Sequence, residues 1–102
     1  MSTFSQFSIK PQVVDLVSTN YRSISTPLPC PGSEEVITKL AETESRSMHG
    51  QIPLVWDKAS DFSIFDRSGN KWIDFTSTIF VANVGHSNVR VLKAIRSCLD
   101  SE

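Results

Sequence analysis

The chain is short of the residues that mark several functional classes. Its two cysteines, Cys30 and Cys98, stand far apart and in no metal or redox spacing. Such a pair reads as two reduced thiols of a cytosolic protein rather than as a disulfide framework. Two histidines, His49 and His86, are too few for a zinc site built from this chain alone, so no metal is expected. No apolar run is long enough to span a bilayer, and no membrane partner is expected. Met1 to Ser8 lack the charged start and apolar centre of a secretory leader. Asp15, with no arginine before Arg22, argues against a mitochondrial presequence. The expected location is therefore cytoplasmic. Nor is one sign of charge in excess: 10 basic and 11 acidic residues give a formal net charge of −1, with no like-signed run beyond Glu34-Glu35. That excludes the basic footprint of a nucleic-acid binder.

What remains is the composition of a soluble protein, 39% hydrophobic and 21% charged. At 102 residues it is one small domain or part of one, able to bury roughly 65% of its unfolded surface. Residues 1–32 are rich in Ser and Thr and carry Pro11, Pro27, Pro29 and Pro31. Because each proline removes a backbone donor and biases its predecessor toward extended geometry, Thr26 to Pro31 is expected to be an extended arm. Val13, Val14, Leu16 and Val17 allow a short turn of helix or strand.

Residues 33–102 carry the regular elements. Ser33 is expected to cap a helix whose first turn holds Glu34 and Glu35 at the positive end of the dipole. Val36, Ile37, Leu40 and Ala41 give it one apolar stripe, which fades near Ser45. Arg46 to Gln51 forms a polar connector with Gly50, and Leu54 to Trp56 a short strand. Phe62–Asp66 and Lys71–Phe75 then alternate as two strands joined by Arg67-Ser68-Gly69-Asn70, where Gly69 or Asn70 takes the positive φ of a tight hairpin. Phe62 and Ile64 share a face in the first strand. Two strands are marginal alone, so the hairpin requires a third strand or a helix. A second helix is expected from Ser87, with Val91, Leu92, Ile95 and Leu99 as its stripe. Nothing in the pattern ends it, and Asp100 and Glu102 place acid at the unfavourable end of its dipole, which reads as truncation within or just after a helix. The chain itself thus reads as α+β, a small antiparallel sheet flanked by two helices.

One ordered set of residues points further. Asp66-Arg67-Ser68-Gly69-Asn70-Lys71-Trp72-Ile73-Asp74-Phe75 is followed by Thr76-Ser77-Thr78-Ile79 and then by Asn83-Val84-Gly85-His86. This resembles the N-terminal segment of class III pyridoxal-phosphate aminotransferases, the 4-aminobutyrate and ornithine aminotransferase family. Arg46-Ser47-Met48-His49-Gly50-Gln51, Pro53, Val55-Trp56-Asp57 and the arm Ile24 to Pro29 look like the 4-aminobutyrate branch. The resemblance covers about Tyr21 to Ile95. Two positions depart from it. Thr78 stands where the family usually has Gly, which would narrow an entrance or stiffen the loop, and Asn88-Val89 replaces a common His-Pro.

The resemblance implies a fold-type-I α/β enzyme that moves an amino group from an amino acid or ω-amine to a 2-oxo acid with pyridoxal 5'-phosphate, and that works as a homodimer. An aminomutase or racemase of the same family, or a non-catalytic interaction module, stays open. Such chemistry needs a Schiff-base lysine, an acid on the pyridine nitrogen, a phosphate cradle and a stacked aromatic. Lys10, Lys39, Lys58, Lys71 and Lys93 lie in no Schiff-base motif, so this chain is expected to carry no catalytic or cofactor-binding residue and to be inactive alone. By resemblance Ile79 and Phe80 line the substrate side chain, and His49 and Gln51 approach its carboxylate. The competing readings are core packing for Ile79 and a surface loop for His49. Gly69, Asn83, Gly85 and His86 are read as structural turn residues, the His86 imidazole bonding nearby backbone. Asp74 is read as a hydrogen-bond anchor, and Trp56 and Trp72 as covers for the sheet.

Overall fold

The structure, a computed structural model, describes residues 7–101; the readings placed on the first six residues and on Glu102 lie outside it. Five short strands form one antiparallel sheet in the order β1-β2-β5-β4-β3, with β1 at Val17–Ser18, β2 at Ser23–Ile24, β3 at Trp56–Ser60, β4 at Ser63–Asp66 and β5 at Lys71–Ile73. The β4–β5 hairpin lies at its centre, pairing Ile64 with Trp72 and Phe65 with Lys71. Gly69 takes φ 80°, as the tight turn requires. The hairpin finds a strand on each side. β2 joins it through Ser23 opposite Lys71, so part of the Ser/Thr-rich leading segment enters the sheet. Thr19 closes the β1–β2 turn, its hydroxyl accepting the N–H groups of Tyr21 and Arg22.

Several boundaries differ from the sequence reading. The strand expected at Leu54 to Trp56 lies at Trp56–Ser60 instead. Leu54 N–H turns back to the Ile52 carbonyl at 2.8 Å, which bends the chain before pairing begins. β3 is a polar edge strand with mostly exposed side chains, so it shows little alternation to read. Phe62 and Ile64 do not share one environment. Ile64 is buried with Ile24 and Cys30, whereas Phe62 lies in the β3–β4 turn, exposed beside the Tyr21 ring. Trp56 is likewise exposed, and Arg22 lies over Trp72 at 5.8 Å.

Helix α1 spans Ser33–Thr43 with Glu34 and Glu35 in its first turn. Ser33 does not cap it. Gly32, in the left-handed region, is the N-cap, and the buried Ser33 hydroxyl meets the Cys30 thiol at 3.2 Å. A single 3-10 turn at Arg46–Met48 follows. Helix α3, at Val89–Leu99, starts two residues later than Ser87. Ser87 has φ 55° and bonds the Ala59 carbonyl, while Asn88 Oδ1 accepts the N–H groups of Arg90 and Val91. Its far end has a partner the pattern did not show, the Ser101 hydroxyl donating to Cys98 O at 2.8 Å.

Between the sheet and α3 lies α2, Ser77–Phe80, a turn of left-handed helix. All four residues have φ between 49° and 69°, and Phe80 and Val81 N–H groups close the turn onto Thr76 and Ser77 carbonyls. None of the four is glycine. A left-handed residue with a Cβ costs roughly 1–2 kcal/mol, so the turn is strained.

Candidate functional site

Two concave regions carry the candidate residues, and Trp56 of the first packs against His86 of the second. The larger is a cleft of about 600 Å³ between α1 and residues 48–56, walled by Ile37, Leu40, Met48, Ile52 and Trp56. His49 and Gln51 both line it. His49 Nε2 is buried there without a hydrogen bond, 4.0 Å from the Glu44 carboxylate. The connector positions them, since the 3-10 turn bends the chain after α1 and Gly50, at φ 84°, turns it again toward Pro53.

The second region is polar, about 380 Å³, and is lined by Asp61, Asp74, Ser77, Asn83, Gly85 and His86 among others. At its centre His86 Nε2 sits 2.7 Å from Asp74 Oδ2. The other Asp74 oxygen accepts both the N–H and the hydroxyl of Thr76 at 3.0 Å. The Asp74 side chain is 3% exposed. Burial alone would raise its carboxyl, but the hydrogen bonds from His86 and Thr76, with the nearby imidazole charge, outweigh it and hold the group below the ordinary aspartate value. Trp56 packs edge-on against the His86 ring at 5.6 Å. His86 thus bonds a carboxylate, where nearby backbone was expected. Its own N–H and C=O pair with Asp61 at 2.7 and 2.9 Å. Gly85, at φ 84°, suits that bridge, since a Cβ there would stand 3.2 Å from Asp61 Cα as well as 2.7 Å from the movable Asp61 Oδ1. Among the described residues no nucleophile hydrogen-bonds this imidazole, so the pair acts as a clasp joining residues 74–76 to the start of α3.

Ile79 and Phe80 are in neither region. They stand on α2, 69% and 78% exposed. The structure therefore brings His49 and Gln51 together and leaves Ile79 and Phe80 apart from them. Thr78, the departure from the family's Gly, has φ 52°. Its consequence here is backbone strain that glycine would not incur.

The sequence reading missed a third cluster. Asn70, fully buried at 0% exposure, donates from Nδ2 to Asp66 Oδ2 and to the Thr26 hydroxyl, and accepts the Ser25 N–H on Oδ1. Asp66 Oδ1 accepts the N–H groups of Ser68 and Asn70. The Asp-x-x-Gly-Asn turn signalled a hairpin. Its tie to Ser25 and Thr26 is a contact across 44 and 45 residues that no local pattern carries.

The described residues do not fit pyridoxal phosphate. Lys71 Nζ donates to the Asn20 carbonyl and Lys58 lies over the Phe65 ring. Lys10, Lys39 and Lys93 are exposed and line neither the cleft nor the polar region. Neither long helix offers an anion cradle. The first N–H groups of α3 are taken by Asn88, and α1 opens with two glutamates. Among the described residues no cluster could hold a metal ion, and no helix is long and apolar enough to cross a membrane.

No family model matches the chain. Individual proteins do. It is 38% identical over 64 residues to a mitochondrial ornithine aminotransferase of Oryza sativa subsp. japonica, covering 63% of this chain and 13% of that protein. With an acetylornithine aminotransferase of Lactococcus lactis the figures are 42% over 53 residues, 52% and 14%. With a 4-aminobutyrate aminotransferase of Mycobacterium leprae they are 33% over 76 residues, 74% and 17%. This is an aminotransferase-like sequence. The matched part spans only 13–17% of these three relatives' own lengths.

Proposed function

We propose that this aminotransferase-like chain is the leading segment of a class III, fold-type-I enzyme that moves an amino group from an amino acid or ω-amine to a 2-oxo acid. The observation that carries the reading is the match to aminotransferases of three different amino donors, at 33–42% identity. In that enzyme pyridoxal phosphate supplies the electron sink and is held by residues outside this chain. The segment contributes walls: Ile79 and Phe80 against the substrate side chain, His49 and Gln51 toward its carboxylate, with Gly69, Asn83, Gly85 and His86 holding the turns. Two subunits pair, with the leading arm and the Ile79 loop between them. The chain by itself has no transaminase activity.

A chimera tests this directly. The matching segment of the Lactococcus lactis acetylornithine aminotransferase is replaced by this chain, and the product is assayed with acetylornithine, ornithine and 4-aminobutyrate. The expected result is cofactor-loaded protein with transaminase activity, in which Ile79→Ala changes the KM ratio between donors. A folded, cofactor-loaded chimera that transfers no amino group from any of the three would sink the reading. So would turnover by the 102-residue chain alone.

A further inference from the structure

Nothing within α2 selects its left hand. Its closing bonds, Phe80 N–H to Thr76 O at 2.8 Å and Val81 N–H to Ser77 O at 2.9 Å, have the i to i−4 spacing that a right-handed turn makes equally well. Chirality favours the right hand at Ser77, Thr78, Ile79 and Phe80, most strongly at the β-branched Thr78 and Ile79. Packing does not decide it either, since no residue of α2 is buried and Thr78, Ile79 and Phe80 are exposed. The flanking Thr76 and Val81 return to negative φ, at −100° and −104°. Strained backbone of this kind persists only where its surroundings over-determine it. The hand therefore comes from how the two ends of the segment are held.

One group holds both ends. Asp74 N–H donates to Phe62 O at 2.8 Å, which fixes Asp74 beside the start of β4. Its Oδ1 accepts the N–H and the hydroxyl of Thr76, immediately before the turn, and its Oδ2 meets His86 Nε2, beyond the turn. The far end is braced as well by the His86 backbone pair with Asp61 and by Gly85 N–H on Ala82 O at 3.0 Å. Residues 75–85 thus form a ring closed through one buried carboxylate. Asp61 and His86 are the other titratable groups that line its region. Burial opposes the charge on Asp74, but the bonds from His86 and Thr76 prevail and hold the carboxyl below its ordinary value, so the ring is closed through the neutral range.

We infer that the Asp74 carboxylate is a latch that imposes the left hand on residues 77–80, and that without it the same residues relax to a right-handed turn closed by the same two hydrogen bonds. The two hands are alternative states of one segment, and the latch biases the choice between them. Changing hand re-aims the side chains of Ile79 and Phe80, because the Cα–Cβ directions of a turn follow its hand. The latch is a conformational device that sets where two exposed apolar side chains point. It goes beyond the aminotransferase reading and is tested on the chain itself, whereas that reading stands or falls with the chimera.

Nuclear magnetic resonance of the isotopically labelled 102-residue chain tests the latch. Positive φ brings an amide proton close to its own Hα, so Ser77 to Phe80 should each give a strong intraresidue amide–Hα Overhauser effect in the native chain. Asp74→Ala should weaken all four while the amides of β4 and β5 keep their shifts. Adding Thr78→Gly to Asp74→Ala should raise the ratio of left-handed to right-handed turn by about fivefold or more, because glycine carries no Cβ penalty. Asn70→Ala, which loosens the other end of β5, should leave the hand unchanged. Where Asp74→Ala does not fold, His86→Ala, which keeps the Thr76 bonds, should show residues 77–80 exchanging between two conformers in relaxation dispersion. Negative φ at these residues in the native chain overturns the inference. So does a folded Asp74→Ala that keeps the left-handed turn, an Asn70→Ala that loses it equally, or, where Asp74→Ala does not fold, a His86→Ala without exchange.

Discussion

The two ends of β5 are built from similar parts and left in different conditions. At one end Asp66 and Asn70 form a polar knot, at the other Asp74 and His86 form a clasp. In both a carboxylate accepts from backbone and from side chain, Asp66 from two backbone N–H groups and Asn70, Asp74 from one backbone N–H, the Thr76 hydroxyl and His86. Asn70 is sealed beneath the leading segment, which also supplies Ile24 and Cys30 to the small core. Around the clasp the polar atoms are satisfied but the apolar ones are not. Phe75, Ile79, Phe80, Val81 and Val84 all face solvent, and the backbone between them is strained. The first end is finished within this chain. The second is finished only in its hydrogen bonds, as expected of a surface that meets something else.

Breaking the knot should have the largest effect. Asn70→Ala strands the part-buried Ser25 N–H and removes a donor from the buried Asp66 carboxylate. Each buried group left unpaired costs about 1–3 kcal/mol, so a loss of about 2–4 kcal/mol is expected in urea unfolding. Because the knot ties Ser25 to the hairpin, hydrogen exchange of β1 and β2 should rise more than that of α1. If exchange rises uniformly instead, the knot does not hold the leading segment.

A paired substitution sharpens the contrast at the other end. Gly85→Ala introduces a Cβ 2.7 Å from Asp61 Oδ1 at φ 84°, and should destabilise by about 2 kcal/mol through strain at a position built for glycine. Thr78→Gly should act the opposite way. It relieves a left-handed threonine at the expense of a looser unfolded chain, for a net gain of about 0.5–1 kcal/mol, read as a rise in Tm of a few degrees. A drop in Tm with Thr78→Gly would show that the threonine conformation is not strained.

These sites show which parts of the molecule its sequence makes legible. The hairpin was readable because Gly69 and the flanking alternation are local, and α1 and α3 because their stripes repeat every turn. β3 escaped because an exposed edge strand such as Trp56–Ser60 has no buried face to mark it. β2 escaped because its partner, Lys71, is far along the chain. At the candidate site, the nearness of His49 to Gln51 follows from their spacing. The Asp74–His86 bond does not, because it depends on Gly85 letting the chain approach Asp61. The handedness of α2 was signalled only by Thr78 standing in a glycine position, and that sign pointed to a backbone need that threonine meets poorly.

The smallest effect expected is on pH dependence, and it separates the clasp from the knot. Asp74 is held below its ordinary value of 3.8, so the folded chain binds the proton less readily than the unfolded one. The stability this confers is therefore present above pH 3.8 and is lost as pH falls through the lower folded value. Urea midpoints taken downward through that window should fall more for the native chain than for Asp74→Asn, which keeps the shape but has no charge to lose. His86→Ala should reduce the same slope, because it removes the imidazole hydrogen bond that stabilises the carboxylate. Equal slopes for all three proteins would mean that the clasp holds its loop by shape alone, and that charge between Asp74 and His86 contributes nothing to the fold.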